Sequence, residues 1–163
     1  MSRYFRKAVA VVLALWSGAA VAGPPADHWQ VRSEAELASR VQALCLASQK
    51  DKKPILLEFS AAWCGDCKAA ANLEQLPEVK AELAHWHHEV IDVGRFERHQ
   101  TLLRGFGAQG IAFWAALQPT DCAAPPLSWP KLRTGSVEPT SDASLATAAQ
   151  LIGWLTAARA PKP

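Results

Sequence analysis

Apolar positions along this chain fall into two patterns, continuous short runs and stripes at helical spacing. Ile55-Leu56-Leu57-Glu58-Phe59 is apolar except for Glu58. A run so continuous predicts a central strand buried on both faces. Ile111 to Leu117 is a second such run, and Trp86 to Val93, closed by Gly94, is a third strand candidate. Between them lie helical stripes. Leu37, Val41 and Leu44 share one face of a helix that Ser33 and Glu36 open as a capping box, and that Lys50 to Pro54 ends. Lys68 to Leu76 is Ala-rich and helical by propensity. Pro77 then kinks the helix or restarts it through Glu78 to Leu83. Phe96 to Phe106 predicts a short amphipathic helix carrying Leu102, Leu103 and Phe106, and Gly105, Gly107 and Gly110 punctuate the approach to the next strand. Gln118 to Pro130, with Pro119, Pro125, Pro126 and Pro130, reads as an inserted loop. Leu132 to Thr134 predicts a short edge strand. Leu145, Ala148, Leu151, Ile152 and Leu155 form the stripe of a last helix ending near Ala160 and Pro161. Strands alternating with helices imply an α/β domain, and a final strand pair joined without a helix is antiparallel. A mixed sheet covered on both faces follows.

The first residues change the picture. Arg3, Arg6 and Lys7 precede the apolar run Ala8 to Trp16, and Ala20-Val21-Ala22 is an A-x-A cleavage pattern before Gly23. Residues 1–22 are therefore read as a signal peptide, 23–32 as a linker containing Pro24 and Pro25, and 33–160 as one domain. An uncleaved membrane anchor is the alternative, but spanning a bilayer takes about 20 apolar residues. This run is shorter and is interrupted by Ser17 and Gly18. Cleavage near Ala22 removes three positive charges from a formal +2, leaving −1. No basic footprint for nucleic acid remains. The 163 residues, half of them apolar and a fifth charged, suit one folded domain and disfavour disorder. The expected location is outside the cytoplasm, the periplasm if the source is bacterial.

Export gives the four cysteines a compartment where disulfides persist. Cys45, Cys64, Cys67 and Cys122 allow three pairings. Cys64 and Cys67 are separated by two residues just before a helix. The first thiol then sits where unpaired N–H groups and the helix dipole stabilise a thiolate, while the second is close enough to resolve a mixed disulfide. Trp63 would shield the pair and offer an apolar patch. Asp66, between the cysteines, opposes thiolate formation, which favours a reductase or isomerase over a strong oxidant. Glu58 is the one charge in a run that should be buried. Desolvation would raise its pKa and suit it to exchange a proton with Cys67.

From Pro54 to Leu155 the chain resembles the thioredoxin-like family, on its apolar strand, Ala62-Trp63-Cys64-Gly65-Asp66-Cys67-Lys68, the helix after it, and the succession of later elements. The resemblance implies a thioredoxin-like three-layer α/β/α sandwich with a mixed central sheet. It also implies a thiol–disulfide oxidoreductase with no bound cofactor, Cys64 attacking and Cys67 resolving. Glu58 stands where such proteins often carry a buried carboxylate, and Trp63, Gly65, Asp66, Lys68, Ile111 and Ala112 shape the site. Expected partners are protein disulfides or dithiols and a membrane-bound electron donor, with the protein a monomer. Family members usually place a cis-proline opposite the dithiol. Here Gly110-Ile111-Ala112 occupies that place, and a cis bond without proline costs roughly 2.5–4 kcal/mol, so a trans bond is expected. In such a topology Cys45 and Cys122 reach the pole opposite the dithiol, which makes them the candidate structural disulfide. His85, His87, His88 and His99 lack the spacing of a closed metal set. The competing reading is a non-catalytic binding module or a zinc or copper carrier that uses Cys64 and Cys67.

Overall fold

The computed structural model describes residues 23–160; the expected signal peptide lies outside the described residues. Helix α1 spans Glu34–Asp51 and begins on the capping box, with Ser33 Oγ accepting from Glu36 N–H and the Glu36 carboxylate accepting from Ser33 N–H. It ends where Lys52 turns left-handed (φ 64°) and gives its N–H to the Ser48 carbonyl. Strand β1 follows at Ile55–Ser60, every residue of it buried. Next come α2 (Gly65–Glu74), α3 (Pro77–Leu83) and β2 (His87–Asp92). Pro77 restarts the helix: it occupies the first turn of α3, where its missing N–H leaves no intrahelical bond unmade. Helix α4 covers Gln100–Gly105, β3 Phe113–Leu117, β4 Lys131–Ser136 and α5 Ala148–Arg159.

The sheet order is β2-β1-β3-β4, with β1 parallel to β2 and antiparallel to β3, and β3 antiparallel to β4. This is the mixed sheet the pattern implied. One face of β1, Ile55, Leu57 and Phe59, packs with Leu37, Val41 and Leu44 of α1 and with Leu103 and Phe106. The other face carries Leu56, which joins Trp114, Ala116 and the apolar side of α5, Leu151 and Leu155. Each of these buried aliphatic side chains contributes about 1.5–3 kcal/mol relative to exposure. Period-2 alternation puts Glu58 and Ser60 on the Leu56 face, so a carboxylate is enclosed between the sheet and the helices.

Three local expectations are revised. Helix α4 starts at Gln100 rather than Phe96, because Phe96 (φ 70°) and His99 (φ 52°) are left-handed and interrupt the helical path. The Ile111–Ala112 peptide is cis, where a trans bond was expected. The expectation weighed the bond alone. In the fold Ala112 is fully buried against both cysteines of the dithiol, and its carbonyl accepts from Val137 N–H at 3.0 Å, so tertiary contacts hold the geometry. Residues 23–32, read as a linker, lie against the domain. Trp29 Nε1 donates to Ser60 Oγ (2.9 Å), and Arg32 pairs with Glu89 (2.8 Å).

Cys45, late in α1, and Cys122, in the loop after β3, form a disulfide with 5.7 Å between their Cα atoms. It closes a separation of 77 residues. In the chain-entropy account a loop of that order restricts the unfolded chain by about 4 kcal/mol. Replacing both cysteines by alanine should lower the unfolding free energy by roughly 2–4 kcal/mol, measured by urea titration. A change below about 0.5 kcal/mol would remove this bond from the stability of the fold.

Candidate functional site

The site is built where β1 hands the chain to α2. Ala61 to Trp63 turn sharply, with Cys64 N–H donating to the Ala61 carbonyl (3.1 Å). Cys64 is the residue that caps α2: its backbone is extended, and its Sγ accepts from the N–H of Cys67 at 3.1 Å. The Cys64 sulfur thus occupies the position at which the helix N-terminus offers donors and positive potential. Cys64 and Cys67 are joined as a disulfide, Cα atoms 5.2 Å apart. They are not equivalent. Cys64 keeps 6 % of its surface exposed and Cys67 none, so an incoming sulfur reaches Cys64 first. Ala112 is buried against both, with Ile111 half-buried beside them.

Trp63 is exposed and held in place. Its Nε1 donates to the Gly94 carbonyl (2.7 Å), and its ring meets Phe96 edge-on at 5.8 Å. Gly94 has φ 58°, a left-handed conformation that favours glycine in the turn that receives Trp63, and a Cβ there would also have to displace the end of the Glu97 side chain. Trp63 and Phe96 form an apolar ledge next to Cys64. Gly65 opens α2 with nothing within 4 Å of where a Cβ would stand. Lys68 is exposed on α2, its N–H bonded to the Cys64 carbonyl (3.1 Å).

Asp66 is half-buried and engaged by the loop after β4. Its carboxylate accepts from Thr140 N–H (2.6 Å), Thr140 Oγ1 (2.5 Å), Ser141 N–H (3.3 Å) and Ser141 Oγ (2.9 Å). Desolvation pushes the Asp66 carboxyl up, but the Thr140 and Ser141 hydrogen bonds outweigh it and hold the pKa below the ordinary value. The charge between the cysteines is therefore ionised and also partly satisfied, which weakens its opposition to a Cys64 thiolate.

Glu58 is fully buried, and each of its carboxylate oxygens has an imidazole beside it. Oε2 lies 3.1 Å from His88 Nε2, and Oε1 stands 3.8 Å from His28 Nε2. Burial raised Glu58 in the sequence-based expectation; here burial does push it up, but the imidazoles of His28 and His88 and a hydrogen bond with Glu74 more than cancel the effect, and the pKa is lowered. The carboxyl raised well above its ordinary value is Glu74, by burial and by the charge of Glu58. Glu74 and His28 were missed in the sequence. Glu74 closes a helix whose apolar face is mostly alanine, so no stripe marked its side as inward. His28 lies in a segment that looked like a linker, although Trp29 beside it signalled burial.

The histidines do not form one cluster. His87 Nε2 pairs with Asp51 (2.9 Å), His99 Nδ1 with Glu34 (3.0 Å), and His88 with Glu58, while His85 precedes β2. Among the described residues, the group that could hold a cation is His28, Glu58 and Glu74, whose ligand atoms lie within 4.8 Å of one another.

No family model matches this sequence, and no curated protein matches it closely. Solved structures do resemble it. A disulphide isomerase from Xylella fastidiosa Temecula1 superposes with TM-score 0.59 at 23 % identity, over 78 % of this chain and 95 % of the other. The DsbD C-terminal domain of Neisseria meningitidis, in both oxidised and reduced forms, superposes with TM-score 0.56 at 25 % identity, over 76 % of this chain and 96 % of that domain. The strand order, the cysteine-capped helix and these superpositions together identify the chain as a thioredoxin-like α/β domain.

Proposed function

We propose that this protein is an exported thiol–disulfide oxidoreductase that acts on protein disulfides through Cys64 and Cys67. The observation that carries the reading is the capping geometry: a slightly exposed Sγ at a helix N-terminus, accepting the N–H of a wholly buried partner cysteine. In the reduced protein the Cys64 thiolate attacks one sulfur of a substrate disulfide and expels the other as a thiolate. Cys67 then attacks Cys64 Sγ, releases the second substrate sulfur as a thiol, and leaves the Cys64–Cys67 disulfide. Two electrons have passed to the substrate, and a dithiol donor must return them. The apolar ledge of Trp63 and Phe96 suits contact with an unfolded or extended partner chain. The basic, apolar and A-x-A succession before Gly23 supports export, and the similarity to a disulphide isomerase and to a DsbD C-terminal domain seen both oxidised and reduced supports redox exchange by analogy of fold.

The reducing or isomerising direction rests on Asp66. A carboxylate between the cysteines disfavours the reduced, thiolate-bearing form, and a less stabilised reduced form makes a better reductant. The hydrogen bonds from Thr140 and Ser141 moderate that effect without removing the charge.

Cys67→Ser should trap substrates as mixed disulfides on Cys64, seen as bands on non-reducing gels that dithiothreitol removes. Cys64→Ser should trap none and should abolish insulin reduction. Equal trapping by the two variants would remove the assigned order of attack. Asp66→Asn should make the couple more oxidising, shifting its equilibrium with glutathione about threefold, the effect of one charge near a thiolate in high dielectric. The same variant tests the hydrogen bonds to the loop. Because the folded pKa of Asp66 is depressed, its contribution is present above the ordinary carboxyl pKa and is lost as pH falls through the depressed value. Asp66→Asn should therefore cost a few tenths of a kcal/mol near neutral pH and nothing in strong acid, by urea titration at each pH.

A further inference from the structure

Glu58 does not stand alone. His28 from the segment before α1, Glu58 from the middle of β1 and Glu74 from the end of α2 converge on one buried volume. Glu58 and Glu74 are 0 % and 4 % exposed, and the His28 side chain is 6 % exposed. With both carboxyls ionised, each contributes one buried atom with no hydrogen-bond partner: His28 Nε2, Glu58 Oε1 and Glu74 Oε1. Half of the six such atoms among the described residues thus belong to the three residues that converge; the others are Glu89 Oε1, His99 Nδ1 and Trp114 Nε1. Unpaired buried polar atoms are rare, and an enclosed charge needs a partner of opposite sign.

We propose that His28, Glu58 and Glu74 bind a divalent first-row metal ion such as zinc. The donor set is one imidazole nitrogen and two carboxylate oxygens, which suits zinc, manganese or iron(II). Two carboxylates and a dication sum to zero charge, which is what a buried site requires. The size fits. An ion centred among atoms no more than 4.8 Å apart lies at most about 2.8 Å from each of them. Zinc–ligand bonds of about 2.0–2.2 Å are reached if each side-chain end moves inward by roughly 0.7 Å.

A proton shared by the two carboxyls is the simpler occupant, and it falls short. It satisfies Glu58 and Glu74 but leaves His28 Nε2 at 3.8 Å from Glu58 Oε1, beyond hydrogen-bond reach. A cation engages all three atoms at once. The surroundings are arranged for it as well: His88 Nε2 at 3.1 Å from Glu58 Oε2 orients the carboxylate so that Oε1 faces the volume, the usual part of a second ligand layer. Such an ion would tie the leading segment to the sheet and to the end of α2.

The test uses the purified protein kept fully oxidised, so that all four cysteines are in disulfides and offer no thiolate. Zinc chloride is titrated by calorimetry, bound zinc is counted by elemental analysis after desalting, and the melting temperature is followed against zinc. The expected result is one zinc per chain and a melting temperature that rises with zinc. Glu74→Gln, which keeps the size and polarity of a protonated carboxyl, and His28→Ala, in the leading segment, should each weaken binding at least tenfold while circular dichroism stays unchanged. Absence of a stoichiometric site would overturn the proposal. So would affinity that is the same in both variants as in the parent protein, since zinc would then sit at surface pairs such as His87 with Asp51. Insulin reduction by the reduced protein reports on the dithiol separately, so failure of either assignment is distinguishable from failure of the other.

Discussion

The arrangement of the dithiol depends on one hydrogen bond, from Cys67 N–H to Cys64 Sγ at the first turn of α2. The first turn of any helix has N–H groups without intrahelical acceptors, and a side chain can supply one. Here the acceptor is sulfur, so the need to finish the helix and the need to stabilise a thiolate are met by the same atom. The bond also separates the two cysteines by role. It places Cys64 at the rim, and three residues of helix then carry Cys67 inward beneath it, where Ala112 seals it.

What surrounds this turn adjusts the charge and the access of Cys64 from different parts of the chain. Asp66 is drawn toward the loop after β4 by four donors, so its electrostatic influence depends on Thr140 and Ser141, about 75 residues away in sequence. Trp63 is fixed by the turn at Gly94, after β2. Ala112, before β3, closes the inner side. A helix end gains reactivity from its own backbone but selectivity from three loops that the sheet brings to one pole.

Much of this was legible in the sequence. The capping box at Ser33 and Glu36, the uninterrupted apolar run of β1 and the restart at Pro77 are decided by neighbours within a few residues, so local pattern suffices. The start of α4 was not legible, because left-handed backbone at Phe96 and His99 leaves no mark in their side chains. Nor was the packing of residues 23–32, whose prolines and polar residues resemble a linker until Trp29 and Arg32 find Ser60 and Glu89. The cis peptide at Ile111–Ala112 went against local preference, because the contacts that hold it come from α2 and from Val137.

By itself the sequence determined the elements, the mixed sheet and the two cysteines that cap a helix, since periodicity, turn residues and helix-end chemistry act over short distances. Only the tertiary structure decided what the buried charge does. Glu58 was visible as an acid in an apolar strand, and burial alone argued for a raised pKa. Its real neighbours, His28, His88 and Glu74, arrive from three other segments, and at these distances in a low-dielectric interior they outweigh the desolvation that the sequence could foresee.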